Sequence, residues 1–146
     1  MAFKEANNDV SPSQIVVFRA STSEGQNETI RVNEISQLRN AILKLEEAGE
    51  MNEDTKFCFL VANKKVEQRF WQTMRGRFVN PEKGMVIESG LTRNERFEFY
   101  MISHAGPTGL QGPVRYEVLA LENWNTINPK DLYDLTYSLC FGYFNF

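Results

Sequence analysis

Cysteine is scarce: Cys58 and Cys140 are the only two among 146 residues, far apart and outside any CxxC spacing. That excludes a disulfide framework and a zinc ribbon, and it fits a reducing compartment. Histidine is scarcer still, since His104 stands alone, and a lone histidine is not a catalytic base by itself. No apolar run approaches the roughly 18 residues of a membrane span. The leading segment, with Lys4, Glu5 and Asp9, is polar rather than signal-like. The expectation is a soluble cytoplasmic protein, with the nucleus as a further place for it. An excess of positive charge is also missing: 16 Lys and Arg against 19 Asp and Glu leave a net charge of −3. A generally basic polyanion binder of the histone kind is thereby excluded, and any polyanion site must be local. Internal repeats and low-complexity tracts are absent. What remains, 42% hydrophobic and 12% aromatic residues in a chain of this length, is one globular domain with a core.

Charge is unevenly spread. Residues 1–56 carry six basic and ten acidic side chains, residues 64–96 eight and four, and residues 97–146 two and five. The single basic zone comprises Lys64, Lys65, Arg69, Arg75, Arg77, Lys83, Arg93 and Arg96, with Phe70, Trp71 and Phe78 interleaved. Such a mixture can follow a phosphate backbone, and it can equally solvate a loop and a helix face.

Gln14 to Phe18 is a short apolar, β-branched run, read as a buried strand that stops at Arg19 and passes into the polar stretch 20–26. Ile35, Leu38, Ile42 and Leu45 recur at helical spacing, with Asn33 as N-cap and Gly49 just past the end. Lys56 to Ala62 is a second apolar strand, closed by Asn63-Lys64-Lys65. A crossover helix of this length commonly joins parallel strands, whose ligands sit beyond their carboxyl ends. Short strands follow at 84–88, 97–103 and 114–121, in meander fashion, with a turn-rich loop over 104–113. Asn128-Pro129 opens a last helix as N-cap and N1. Phe57, Phe59, Phe97, Phe99, Leu132, Leu135 and Leu139 are read as core, and Trp71 and Trp124 as packing residues.

Five ordered segments resemble one family. Phe18-Arg19-Ala20-Ser21-Thr22-Ser23-Glu24-Gly25-Gln26 resembles Y-R-D-G-V-S-E-G-Q, and Val61 to Lys65 with Arg69-Phe70 resembles V-x-Q-K-R-H-H-x-R-[LF]-F. Glu88 to Thr92, Phe97 to Tyr100 and Ser103-His104-Ala105-Gly106 resemble D-x-G-I-T-H-P-x-x-F-D-F-Y-L-x-S-H-A-G. Arg115 to Leu119 and Leu135 to Tyr143 resemble H-Y-x-V-L and L-T-Y-x-L-C-x-x-Y. The family is that of Argonaute and Piwi proteins, and the likeness is to the C-terminal part of their Piwi domain, over residues 14–146, with 1–13 as a flexible leading segment.

The resemblance implies an α/β fold, part of a ribonuclease H-like architecture with a mixed sheet and flanking helices. It also implies contact with a small guide RNA or a guide-target duplex in RNA silencing. Slicing members hold two divalent ions on a carboxylate cluster, because in-line displacement at phosphorus builds charge on attacking and leaving oxygens together. At the motif position of the second catalytic Asp this chain has Ala20, whose methyl group cannot ligate Mg²⁺. The other members of the tetrad are expected before residue 1 and beyond Phe146, so the expectation is a truncated, catalytically inactive form without a metal or cofactor. Lys64, Lys65, Arg69, His104 and Tyr143 match positions that touch the guide in the family. Lysine at an arginine position keeps the charge and loses the planar fork. Gly112 and Asn145 stand where arginines are common, so any RNA contact should be weak. The alternative is an interaction module or decoy that competes for partners of full-length Argonautes without touching RNA.

Overall fold

A computed structural model describes residues 2–21, 23–104, 112–124 and 128–142. Strands β1 (Gln14–Ser21), β2 (Lys56–Asn63), β5 (Met85–Ile87), β6 (Glu98–Ile102) and β7 (Val114–Glu122) form one sheet in the order β1-β2-β7-β6-β5, while β3 (Gln72–Met74) and β4 (Arg77–Val79) form a separate two-stranded ribbon. The Lys56 N–H donates to the Ser13 carbonyl at 3.0 Å, so β1 and β2 start side by side and run the same way. The β5-β6 and β6-β7 pairs are antiparallel. The sheet is therefore mixed, as expected from one crossover followed by a meander.

The chain divides into two compact units. One holds residues 1–61 and 118–125, the other 62–117 and 126–146. In the first unit, Ile30, Ile35, Phe57, Phe59, Val61, Leu119 and Ala120 form the core, with Ile15, Val17 and Ile42 packed against it. The connection from β1 to β2 departs from the sequence reading. Helical structure starts at a 3₁₀ turn over Glu24–Gln26 and continues through α2 (Asn27–Thr29), a π-helical stretch (Ile30–Ile35) and α3 (Ser36–Glu47). Asn33 is thus inside the helix and not its cap. Five residues carry an α-helix well past one turn but a π-helix only slightly past it, so the wider winding lets Ile30 and Ile35 both face the core. Gly49 ends the helix as read, with φ of 69° and its N–H on the Glu46 carbonyl. In the leading segment, Ala2–Ala6 form a one-turn helix, α1.

In the second unit Phe99 lies between Tyr116, stacked at 5.1 Å, and Tyr133 at 4.6 Å. Helix α4 (Pro129–Leu139) opens on Asn128, whose side chain accepts the Lys130 N–H, with Pro129 in the first turn. It buries Leu132 and Thr136. Leu135 and Leu139, read as core, are exposed instead, and Phe97 is only half-buried. The buried positions of α4 are Leu132 and Thr136, four residues apart, so the covered strip is set by this pair and leaves the leucines three and seven residues after Leu132 in water. Trp71 is 53% exposed, against the packing role read for it. Trp124 is half-buried, with the Lys56 ammonium 5.2 Å above its ring. No helix among the described residues is long and apolar enough to cross a membrane.

Candidate nucleic-acid interface

Strand β2 is buried without interruption from Phe57 to Val61, as a strand covered on both faces must be. It ends at Asn63, whose side-chain oxygen accepts the Lys65 backbone N–H at 2.9 Å. This Asx turn bends the chain away from the sheet and satisfies a polar side chain that is itself buried. Directly after it Lys64 and Lys65 are exposed, and neither has a carboxylate partner among the described residues. A few residues on, the Arg69 guanidinium folds back over its own loop and donates to the carbonyls of Val66 at 3.0 Å and Gln68 at 2.7 Å. Its Nη1 lies 3.8 Å from where a Cβ on Gly112 would stand. A cation from another segment therefore flanks the position where the sequence lacks an arginine. Nothing in the linear order announces that approach.

His104 follows β6 by two residues and is exposed. Its Nδ1 is 2.9 Å from the Ser103 hydroxyl, and its ring rests on Phe141 at 5.0 Å. Phe141 meets the edge of Tyr137 at 5.0 Å, and the Tyr137 ring covers Gly84, where an added Cβ would come within 3.2 Å of it. Gly84, at φ of 80°, donates its N–H to the Ile102 carbonyl at 2.7 Å. The histidine is thus seated on a short aromatic stack from the end of α4. Tyr143 lies outside the described residues.

The basic zone read as one is two. Arg93 donates to the Glu98 carboxylate from its backbone N–H at 2.6 Å and from its guanidinium at 2.9 Å. Arg96 donates to Glu117 at 2.8 Å, and Arg93 and Arg115 flank the same carboxylate at 3.9 and 3.7 Å. Glu98 and Glu117 are 4% and 2% exposed and stand directly opposite each other across β6 and β7. Burial pushes the Glu98 carboxyl up, but the hydrogen bonds from Arg93 and the charges of Arg93 and Arg115 outweigh it and hold the group below its ordinary value. Arg93 and Arg96 are therefore committed internally. Sequence reasoning missed this because alternation in β6 and β7 marks the two glutamates only as strand residues.

Ala20 is the penultimate residue of β1, and its carbonyl accepts from Arg19, whose guanidinium also pairs with Glu34 at 2.9 and 3.0 Å. Among the described residues no three His, Cys, Asp or Glu side chains gather in the manner of a metal site.

The Piwi domain family matches residues 1–146, the whole chain. This chain belongs to the Piwi domain family. Its sequence is 30% identical over 144 residues to zebrafish (Danio rerio) Piwi-like protein 1, covering 99% of this chain and 16% of that protein. It is 31% identical over 150 residues to Protein argonaute 11 of Oryza sativa subsp. japonica, covering 97% of this chain and 16% of that protein. The chain thus spans about a sixth of these relatives. Drosophila Piwi superposes with a TM-score of 0.79 at 22% identity, over 95% of this chain and 18% of that one. Kluyveromyces polysporus Argonaute with a guide RNA gives 0.78 at 23%, with the same coverage. The mixed sheet with flanking helices is thus that of a Piwi domain of ribonuclease H-like build.

Proposed function

We propose that this Piwi-domain chain contacts small RNA without cleaving it, through the sugar-phosphate backbone. Lys64 and Lys65 supply charge at the carboxyl end of β2, Arg69 adds a planar fork beside Gly112, and His104 and Tyr143 add hydrogen bonds. The observation that carries this reading is the Asx turn at Asn63, which presents two adjacent lysines to water with no carboxylate among the described residues to neutralise them. A solved relative of the same fold holds a guide RNA, by its own description, and that supports the choice of polyanion. Catalytic silence rests on Ala20: a methyl group at the family's carboxylate position offers a divalent ion no oxygen.

The test is fluorescence anisotropy with short single- and double-stranded RNA at 50 and 200 mM salt, on the full chain. The expected result is micromolar binding that fades with salt, and a shallower salt slope, by about 1.4 to 1.8, in the Lys64→Glu/Lys65→Glu variant. No salt-dependent binding at micromolar protein sinks the RNA reading. Mg²⁺-dependent cleavage of a guide-matched target by the purified chain sinks the silent one.

A further inference from the structure

We infer that the β3–β4 ribbon is a second RNA contact, a stacking platform for the unpaired bases of a single strand, separate from the Lys64–Lys65 turn. The ribbon closes through Arg75 and Gly76, both at positive φ (50° and 73°), in a two-residue type I′ turn between Met74 and Arg77. Its register pairs Gln72 with Val79 and Thr73 with Phe78. Gln72 and Val79 are half-buried, and the Gln72 amide reaches the Met85 sulfur. Side chains alternate along a strand, so Phe78 and Thr73 occupy the other face, and Trp71, two residues before Thr73, shares it. Phe78 is 80% exposed and Trp71 53%. Trp71 directly precedes Gln72, the first residue of the ladder, so continuing the same alternation places it diagonal to Phe78, at a separation that long and aromatic side chains bridge.

Large rings left in water on one face of a ribbon call for a flat apolar partner, and the charges around them specify its sign. Residues 69–80 contain Arg69, Arg75 and Arg77 and no acidic residue. Arg75 and Arg77 are exposed and have no carboxylate partner among the described residues. A peptide strand adding to the ribbon's edge is disfavoured, because strands of three residues leave too few free backbone groups to hold it. A polyanion whose repeating unit carries a planar ring matches both features, since every base has a face to stack and every linkage a charge for arginine.

The experiment follows tryptophan emission of the full chain during titration with single-stranded oligoadenylate, the matching duplex, and polyglutamate, with anisotropy of a labelled oligoadenylate in parallel. The single strand should quench emission, and Trp71→Phe should remove that quench while Trp124 stays silent. Phe78→Ala, at an exposed position, should keep the far-ultraviolet dichroism and weaken single-strand binding roughly tenfold. The quench should survive in Lys64→Glu/Lys65→Glu, with its midpoint moved to higher RNA concentration. Anisotropy that rises without any quench overturns the platform and leaves the lysine contact standing. Equal quenching by the duplex, or by polyglutamate, also overturns it, the latter in favour of an acidic protein partner.

Discussion

Two groups of cations in the second unit carry the same sign of charge and do opposite things. Around Glu98 and Glu117, Arg93, Arg96 and Arg115 face carboxylates that are almost fully withdrawn from water. From Lys64 to Arg77 the cations are exposed and face no carboxylate among the described residues, with Lys64 and Lys65 after the Asx turn, Arg75 in the hairpin turn, and Arg69 folded onto its own loop carbonyls. Net charge by window cannot separate the groups, because it sums side chains without asking where their counter-ions are. Arginines that neutralise buried acids hold β6 and β7 together, and only those left uncompensated can bring in a phosphate chain.

The sharpest way to break this distinction is Glu117→Ala. It strands Arg96 and removes the group shared by three guanidiniums, and removing one member of a buried ionic set costs about 3 kcal/mol, the low end of the usual range because the arginines are partly solvated. Urea denaturation should show that loss, and an unchanged midpoint would mean that the network contributes nothing. A smaller effect comes from acid. The Glu98 carboxyl is held below its ordinary value in the folded chain, so its contribution is fully present above the ordinary value of 4.5 and is lost as pH falls through the lower folded value. The urea midpoint should therefore decline as pH drops below about 4.5, and Glu98→Gln should flatten that decline while lowering the plateau above it. Smallest of all is the effect of Lys64→Ala/Lys65→Ala on folding, expected within about 0.5 kcal/mol of the parent. A larger change would give the exposed lysines a structural role and erase the contrast.

Much of the scaffold was legible in the sequence. The β1 and β2 runs, the crossover helix between them with Gly49 past its end, the three-strand meander and the Asn128-Pro129 start of α4 all follow from periodicity and capping, which act over a few residues. The start of the crossover was misread because a π-helical stretch breaks the 3.6 period on which the reading relied. The β3–β4 ribbon escaped notice because three-residue strands carry almost no alternation, and its turn uses Arg-Gly where Asn-Gly would have signalled it. At the candidate interface, Lys64 and Lys65 were legible as the polar end of an apolar strand. The approach of Arg69 to Gly112, the seating of His104 on Phe141 and the capture of Arg93 and Arg96 were not, since each depends on segments that only the folded chain brings together.

Two acids facing each other across a ladder would repel if either were alone, and the guanidiniums that quiet them come from fixed places on neighbouring segments. Sliding β6 by one residue against β7 would send Glu98 to the opposite side of the sheet and bring Phe99 to where the arginines wait. The ionic set therefore works as a key that turns in one alignment only, favouring the native register of β6 on β7 over its one-residue neighbours.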